Sequence, residues 1–180
     1  MQRIILLVAG FALAASCASA QVQGEAAAAA GSQAPLPARP QSFVGDFAKV
    51  IDAKAERGLE TKLAALRKRA GIEFVVVTIE TTGGENIFEY SLAAARRWNL
   101  ASGAGDEGGI LLMLAIRDRK WRVQLTDSLR VDLPEEVLQV HGNRMSAPFG
   151  RGGYGAGVGM FVDGIIADLA KRRGFTTGVK

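Results

Sequence analysis

The sequence predicts an α/β fold, a single αβα sandwich whose mixed central sheet carries helices on both faces. Two apolar segments, residues 73–79 and 110–116, have the composition of strands that are covered on both faces. Helical patterns separate these strands along the chain. The segment from Trp121 to Leu125 alternates between apolar and polar residues, as half-exposed strands do. Together these observations favour one domain at residues 42–173.

The first helix is predicted to follow a short extended segment at residues 43–47. Asp52 is a suitable N-cap, because its carboxylate can accept backbone N–H groups of the first turn. Gly71 suits the left-handed conformation that ends many helices. The helix between them has one apolar face, formed by Ala55, Leu59, Leu63, Leu66 and Ala70.

A second helix and a hairpin are predicted next. The helix has one apolar stripe, formed by Ile87, Tyr90, Ala94 and Trp98. The loop at residues 99–108 leads into the strand at 110–116, and a charged turn at 117–120 joins that strand to the alternating segment. Two strands joined by a short polar turn are expected to pair antiparallel.

A third helix is predicted to begin with a capping box. Asp132 and Glu135 have the required spacing, and Pro134 lies early in the first turn. This helix is expected to run to about Ser146, where a glycine-rich connection follows.

The last helix has a fully apolar stripe and a glycine at its end. The stripe is formed by Val158, Phe161, Ile165 and Leu169. Gly174 is the expected C-cap. Asp163 and Asp168 argue against a membrane span, because charged residues are costly within a bilayer.

Residues 1–20 are expected to be a secretory signal peptide. They contain a positive residue, a short apolar segment and an A-x-A cleavage site that ends at Ala20. The alternative is a lipoprotein signal that uses Cys17, the only cysteine in the chain. Cleavage after Ala20 would leave no thiol for disulfides, catalysis or metal binding. We therefore expect a periplasmic or secreted protein.

Composition sets further expectations outside the domain. Residues 21–41 are rich in Ala, Gln, Gly and Pro, so we expect a disordered linker. Residues 174–180 are expected to form a flexible tail.

The charge of the chain indicates no particular class of partner. The formal charge is +4, with Lys and Arg dispersed among acids, which gives no basis for nucleic-acid binding. We also expect no transmembrane helix after signal cleavage, and a monomer.

Several common catalytic motifs do not fit this sequence. Two glycine patterns match G-x-G-x-x-G, at residues 103–108 and 150–155, but neither lies between a strand and a helix as dinucleotide binding requires. The chain has no P-loop and no G-x-S-x-G motif. His141 is the only histidine, and its place in a predicted helix favours a partly buried structural residue over a catalytic base or zinc ligand.

Acidic residues in loops or at strand ends are the remaining candidates for a site. They are Asp46, Asp106, Glu107 and Asp118. Clustered carboxylates suit hard cations, calcium above all, and an exported protein would meet calcium readily. The alternative is that these acids form turns or are solvated loop charges, and Asp118 in the hairpin turn fits that alternative best.

A series of short motifs runs through the domain in a characteristic order. They are Val44-x-Asp46-x-Ala48, Gly71-x-Glu73, the helix with Tyr90 and Trp98, Gly105-Asp106-x-Gly108, Asp118-Arg119-Lys120 and Phe149-x-x-Gly152-x-Tyr154. In this order they resemble the TPM domain family, whose members are exported or lumenal. The resemblance covers residues 43 to about 171.

The resemblance implies an αβα sandwich with divalent-cation binding at the acidic loop ends. Some relatives are described as acid phosphatases, whereas others act as repair factors or receptor accessory proteins. The chain departs from the family pattern in two places. Glu107 stands where the family commonly has asparagine, and residues 125–129 lack the family's Gly-Tyr-Gly.

The leading hypothesis is a non-enzymatic periplasmic domain that binds a divalent cation, Ca²⁺, and a protein partner of the envelope or membrane. Its role would be assembly, repair or accessory function. Asp46, Asp106 and Glu107 would be cation ligands, with Asp118 as a further candidate. The alternative is a metal-assisted acid phosphatase acting on phosphomonoesters, in which Arg119 holds the phosphate. No nucleophile can be assigned, so the sequence leaves enzymatic activity open.

Overall fold

The computed structural model describes residues 34–101, 103 and 105–177. The predicted signal peptide with Cys17, residues 21–33 of the predicted linker and the last three residues of the predicted tail lie outside them. The helices and strands, in chain order, are β1 (Val44–Asp46), α1 (Ala53–Ala70), β2 (Ile72–Ile79), α2 (Ile87–Arg97), β3 (Gly108–Ala115), β4 (Lys120–Leu125), α3 (Glu135–Ser146) and α4 (Tyr154–Arg173). Within the described ranges, no helix is both long and apolar enough to span a bilayer.

The four strands form one mixed sheet in the order β1-β2-β3-β4. β1, β2 and β3 are parallel, whereas β4 runs antiparallel to β3. β2 and β3 are buried along their full length, because helices cover both faces at the centre of the sheet. The predicted αβα sandwich with a mixed sheet is confirmed. The carboxyl ends of the parallel strands share one edge of the sheet, and their amino ends share the opposite edge.

Three helices pack on one face of the sheet. Leu63 of α1, Met145 of α3 and Phe161 of α4 are fully buried there. Phe161 meets Phe74 of β2 edge-on, with ring centroids 6.4 Å apart. More buried residues lie on this face than on the opposite one, so it holds the larger part of the hydrophobic core. Full burial of one such side chain contributes roughly 1.5–3 kcal/mol.

The opposite face is covered by α2 and by residues 34–41, here named the N-terminal strap. The Tyr90 hydroxyl donates to the Pro35 carbonyl at 2.9 Å, and Trp98 Nε1 donates to the Pro37 carbonyl at 3.3 Å. Leu36 packs against the buried residues beneath α2. The sequence assigned these residues to a disordered linker, but the structure places them on the domain. Proline has few backbone conformations to lose, which lowers the cost of ordering this segment.

Local sequence signals located several helix ends correctly. Asp52 caps α1 by accepting the backbone N–H groups of Lys54 and Ala55, each at 3.0 Å. Gly71 ends α1 in the left-handed conformation, with φ of 63°, and Gly174 ends α4 in the same way. These caps depend only on neighbouring residues, which is why the sequence revealed them.

The predicted capping box at the start of α3 is wrong. Pro134 occupies the N-cap position of α3, and no side chain caps its first turn. The Asp132 carboxylate instead accepts a hydrogen bond from Arg173 Nε, near the end of α4, at 2.6 Å. The charge-assisted hydrogen bond to the guanidinium occupies this carboxylate, which therefore does not cap α3.

Candidate functional site

The predicted site residues lie at opposite edges of the sheet. Asp46 ends β1 and Asp118 follows β3, so both lie at the carboxyl edge of the parallel strands. Asp106 and Glu107 precede β3 and lie at the amino edge. β3 has eight residues and therefore spans about 26 Å at the usual strand rise. One cation cannot be shared across that distance.

Asp46 organises the loop between β1 and α1. Its carboxylate accepts the backbone N–H groups of Val50 at 3.1 Å and Ile51 at 2.8 Å, and also the hydroxyl of Thr78. Thr78 is a fully buried residue of β2, so the contact ties the loop to the sheet. A carboxylate has about four acceptor positions, and three of those on Asp46 are used within the protein.

Asp118 joins the β3–β4 turn to the loop that follows β2. Its carboxylate accepts the backbone N–H of Thr82 at 2.8 Å and the hydroxyl of Thr81 at 2.7 Å. The hydrogen bond from the Thr82 backbone lowers the pKa of Asp118, and the Thr81 hydroxyl adds to this effect. The carboxylate is thus kept ionised and turned toward the β2–α2 loop.

Asp106 belongs to an ion-pair network at the amino edge of the sheet. Its carboxylate lies 2.7 Å from the Arg67 guanidinium and accepts the backbone N–H of Gly103 at 2.7 Å. Arg67 also lies 3.3 Å from buried Glu73, which accepts the backbone N–H of Ala101 at 2.7 Å. The network therefore fixes the loop that leads into β3.

Glu107 is exposed and contributes to the fold through its backbone. Its N–H donates to the Gly71 carbonyl at 2.8 Å, and its carbonyl accepts the Ser128 hydroxyl at 3.0 Å. These two bonds connect the end of α1 and the segment after β4 to the start of β3. A ligand role for the Glu107 carboxylate stays a prediction.

The contacts of the predicted ligands do not suit a shared divalent cation. In the part of the chain that the structure describes, no three His, Cys, Asp or Glu residues lie close enough together to hold a metal ion. Asp46 and Asp118 already accept protein N–H and O–H groups, and Asp106 is paired with Arg67. Cation binding by any one of these carboxylates stays a prediction.

Arg119, the predicted phosphate ligand, lies in the β3–β4 turn. Its φ of 53° is left-handed, a conformation that costs a non-glycine residue roughly 1–2 kcal/mol. Its exposed side chain lines a cavity beside the end of β3, together with Lys120 and Trp121. The neighbouring Arg117 differs, because its guanidinium lies 4.0 Å from the Glu80 carboxylate.

A histidine–aspartate pair joins α3 to α4. His141 Nε2 lies 2.7 Å from Asp168 Oδ2, and the imidazole is only 11 % exposed. A Cβ on Gly164 would lie 2.2 Å from His141 Nδ1, so the glycine makes room for the ring. The placement agrees with the predicted structural role of His141. No local pattern pairs His141 with Asp168, because Asp168 lies 27 residues further along the chain.

The edge of the sheet at β4 combines an exposed aromatic ring with an incompletely paired cation. Phe88 of α2 is 39 % exposed, and the Arg122 guanidinium lies 4.9 Å from its ring centre. Arg122 also reaches Glu135 of α3 at 3.5 Å, yet its buried Nε has no hydrogen-bond partner among the described residues. Together with Gln139, which lines a cavity of about 300 Å³ there, these residues are here named the β4 surface. Sequence reasoning missed it, because it joins three separate elements.

The mixed sheet, its parallel centre and its acidic loop ends define a small α/β sandwich domain. Within this class, the family model for the TPM domain matches residues 44–168. The chain therefore belongs to the TPM domain family, and the resemblance stated from its motifs is confirmed. No curated protein gave a significant match.

Solved structures share the fold. The NMR structure of the N-terminal domain of a P. gingivalis protein is 27 % identical, covers 72 % of this chain and 83 % of that one, and has a TM-score of 0.64. The N-terminal domain of the cg2496 protein from Corynebacterium glutamicum is 11 % identical, with coverages of 82 % and 88 % and a TM-score of 0.56. The BA42 protein from Bizionia argentinensis is 18 % identical, with coverages of 67 % and 82 % and a TM-score of 0.55. The last two similarities concern the fold alone.

Proposed function

We propose that the chain is an exported, non-enzymatic TPM-domain protein that binds an acidic protein partner of the cell envelope through the β4 surface. The observation that carries the proposal is the Arg122 guanidinium, which lies 4.9 Å from the exposed ring of Phe88 and belongs to a side chain that is 32 % exposed. Arginine and aromatic side chains supply much of the binding energy at protein interfaces. A partner carboxylate would accept hydrogen bonds from the exposed part of this guanidinium, whose contact with Glu135 is 3.5 Å long.

The charge around Arg122 favours an acidic partner. Arg119 and Lys120 line the cavity on one side of it, Arg130 on the other side is paired with Asp127, and Glu135 is the one acid in the two linings. An excess of positive charge attracts an acidic surface and speeds its association. The proposal of export rests on residues 1–20, which have the pattern of a secretory signal.

The internal contacts of the acidic residues support a binding role over a catalytic one. Asp46 and Asp118 hold loops, Asp106 is paired with Arg67, and His141 is paired with Asp168. Each of these four groups thus has a structural partner.

Capture from envelope extracts tests the proposal. The bait is wild-type protein, Arg122→Glu, or the control Arg57→Glu, which reverses an exposed arginine on α1. We expect wild type and the control to retain the same acidic protein, identified by cross-linking and mass spectrometry, and Arg122→Glu to lose it. Retention of the same proteins by Arg122→Glu would contradict the proposal.

Metal-assisted hydrolysis of phosphomonoesters is the alternative. The observation that favours it is the position of Arg119 and Lys120 on a cavity at the carboxyl edge of the sheet, where α/β domains commonly bind ligands. An assay on p-nitrophenyl phosphate with and without Ca²⁺ or Mg²⁺ decides between the two. Metal-dependent turnover that Arg119→Gln abolishes would establish the alternative, whereas turnover at the background rate supports the binding role.

A further inference from the structure

We propose that the cavity at the end of β3 binds a small anion with an aromatic body. The cavity has a volume of about 490 Å³, which lies within the usual range for small-molecule sites. It is here named the aromatic cavity and is defined by Arg119, Lys120, Trp121, Phe149 and Tyr154. These residues come from the β3–β4 turn, the start of β4, the connection between α3 and α4, and the first residue of α4.

Aromatic rings form the walls of this cavity. Phe149 and Tyr154 are stacked, with ring centroids 4.6 Å apart and an interplanar angle of 29°. Trp121 lines the cavity as well and is supported from behind by Phe161, whose ring centroid lies 6.3 Å from its own. Rings supported in this way lose little freedom when a ligand binds. Such walls favour a planar, apolar ligand body, because aromatic groups pair face to face or edge to face.

The charge of the lining favours an anion. The ten residues that line the aromatic cavity include two cations, Arg119 and Lys120, and no acid. Asp118 adjoins Arg119 in the chain, but its carboxylate accepts hydrogen bonds from Thr81 and Thr82 on the β2–α2 loop. Asp118 is therefore not part of the lining, but its charge acts on Lys120, which leaves Arg119 as the main ligand for an anion. A guanidinium can bind a carboxylate or a phosphate through two parallel hydrogen bonds.

The β3–β4 turn holds the backbone of Arg119 in place. Its left-handed conformation and the hydrogen bond from its N–H to the Ile116 carbonyl at 3.2 Å are typical of a short hairpin loop. The hydroxyl of Ser146, which also lines the cavity, donates to the Gly142 carbonyl at 2.9 Å. The lining thus supports binding of the anion without chemical change. This inference does not depend on the protein partner proposed for the β4 surface.

NMR titration with three naphthalene compounds tests the inference. 1-Naphthoate and 1-naphthyl phosphate carry the anion on a carboxylate or a phosphate, and 1-naphthalenemethanol is the neutral analogue. The chain has two tryptophans, so Trp98, which is buried at the C-terminal end of α2, is the internal control for Trp121. We expect at least one anion to shift the Trp121 indole signal saturably while the Trp98 signal stays in place, and the neutral analogue to bind at least tenfold more weakly.

Two variants of the β3–β4 turn test the role of charge. Arg119→Gln should weaken anion binding about tenfold, the usual effect of losing one charge-assisted hydrogen bond. Arg117→Gln, in the same turn but beside Glu80, should leave binding unchanged, and an unmoved Trp98 signal shows that each variant is folded. The inference would be overturned by any of three results. The Trp121 signal could stay unmoved at millimolar anion, the neutral analogue could bind as tightly as the anions, or both variants could weaken anion binding equally. Release of naphthol from the phosphate at the cavity would support the site but contradict the non-enzymatic role.

Discussion

The ring of Trp121 occupies the space that a side chain at Gly142 would need. A Cβ on Gly142 would stand 2.1 Å from Cζ2 of that ring. β4 and α3 can therefore approach each other at this point only because residue 142 is glycine. Trp121 lines both the aromatic cavity and the cavity beside Arg122. The contact with Gly142 therefore holds in place a ring that both cavities share.

Gly142→Ala should destabilise the protein by about 1–3 kcal/mol, the usual cost of forcing extra volume into a packed region. Gly159→Ala is the matched control, because Gly159 is also helical and a Cβ there would meet nothing within 4 Å. The control should stabilise the protein by about 0.5–1 kcal/mol, since alanine has less conformational entropy to lose. Denaturant unfolding followed by circular dichroism measures both. Equal stability of the two variants would show that the Trp121 contact is not tight.

Asp118→Asn should cost about 1 kcal/mol near neutral pH, because an amide cannot accept all the hydrogen bonds that Thr81 and Thr82 donate. The pKa of Asp118 is lowered in the fold from its ordinary value of 3.8. Its carboxylate therefore stabilises the protein above that value, and the contribution disappears as the pH falls through the lowered pKa. Unfolding curves should show a constant difference between wild type and variant above about pH 5 and a shrinking one below it.

Asp127→Asn is the control for that experiment. The Asp127 side chain is 97 % exposed and pairs only with Arg130 within the described residues, so its loss should change stability by less than about 0.5 kcal/mol. A difference between wild type and Asp118→Asn that persists unchanged to the lowest pH would contradict the role assigned to the ionised carboxylate.

Tyr90→Phe should loosen the N-terminal strap. The variant removes the hydroxyl that donates to the Pro35 carbonyl at 2.9 Å, which costs about 1 kcal/mol for a buried hydrogen bond. Hydrogen exchange of residues 34–41 should accelerate in this variant. Tyr154→Phe is the control, since the Tyr154 ring stacks on Phe149 instead. Unchanged exchange in Tyr90→Phe would mean that the strap is not held by this bond.

Asp106→Asn and Glu107→Gln separate a structural role from a ligand role. Asp106 is paired with Arg67 and is only 4 % exposed, so its substitution should cost about 1–3 kcal/mol. Glu107 is exposed, and its substitution should leave stability within about 0.5 kcal/mol. A calcium titration of the same proteins completes the comparison. Calcium binding that both substitutions weaken together would instead support the predicted cation site.

Local patterns in the sequence were sufficient to predict the fold. The strands β2 and β3 are apolar throughout, and Asp52 and Gly71 form caps with residues that adjoin them. Interactions of this kind depend only on the nearest few residues, so they can be predicted from short stretches of sequence. The antiparallel pairing of β4 followed from its short turn.

Long-range partners account for what the sequence did not reveal. Asp132 was expected to cap α3, but Arg173 lies 41 residues away in the chain and binds it instead. The site candidates were likewise chosen by residue type, whereas the fold supplied internal partners for Asp46, Asp106 and Asp118. No local pattern indicates which distant donor will reach a carboxylate.

Charge reversal across the interface tests the proposed role of the β4 surface most directly. Once cross-linking identifies the partner and the acid that faces Arg122, calorimetry measures Kd for wild type, Arg122→Glu, the reversed partner acid, and both changes together. We predict that each single reversal weakens binding at least tenfold, as expected for a charged pair at an interface, and that the double reversal recovers most of the loss. The proposal would be contradicted if Kd were unchanged in Arg122→Glu. It would also be contradicted if the losses of binding free energy from the two single reversals added up in the double reversal.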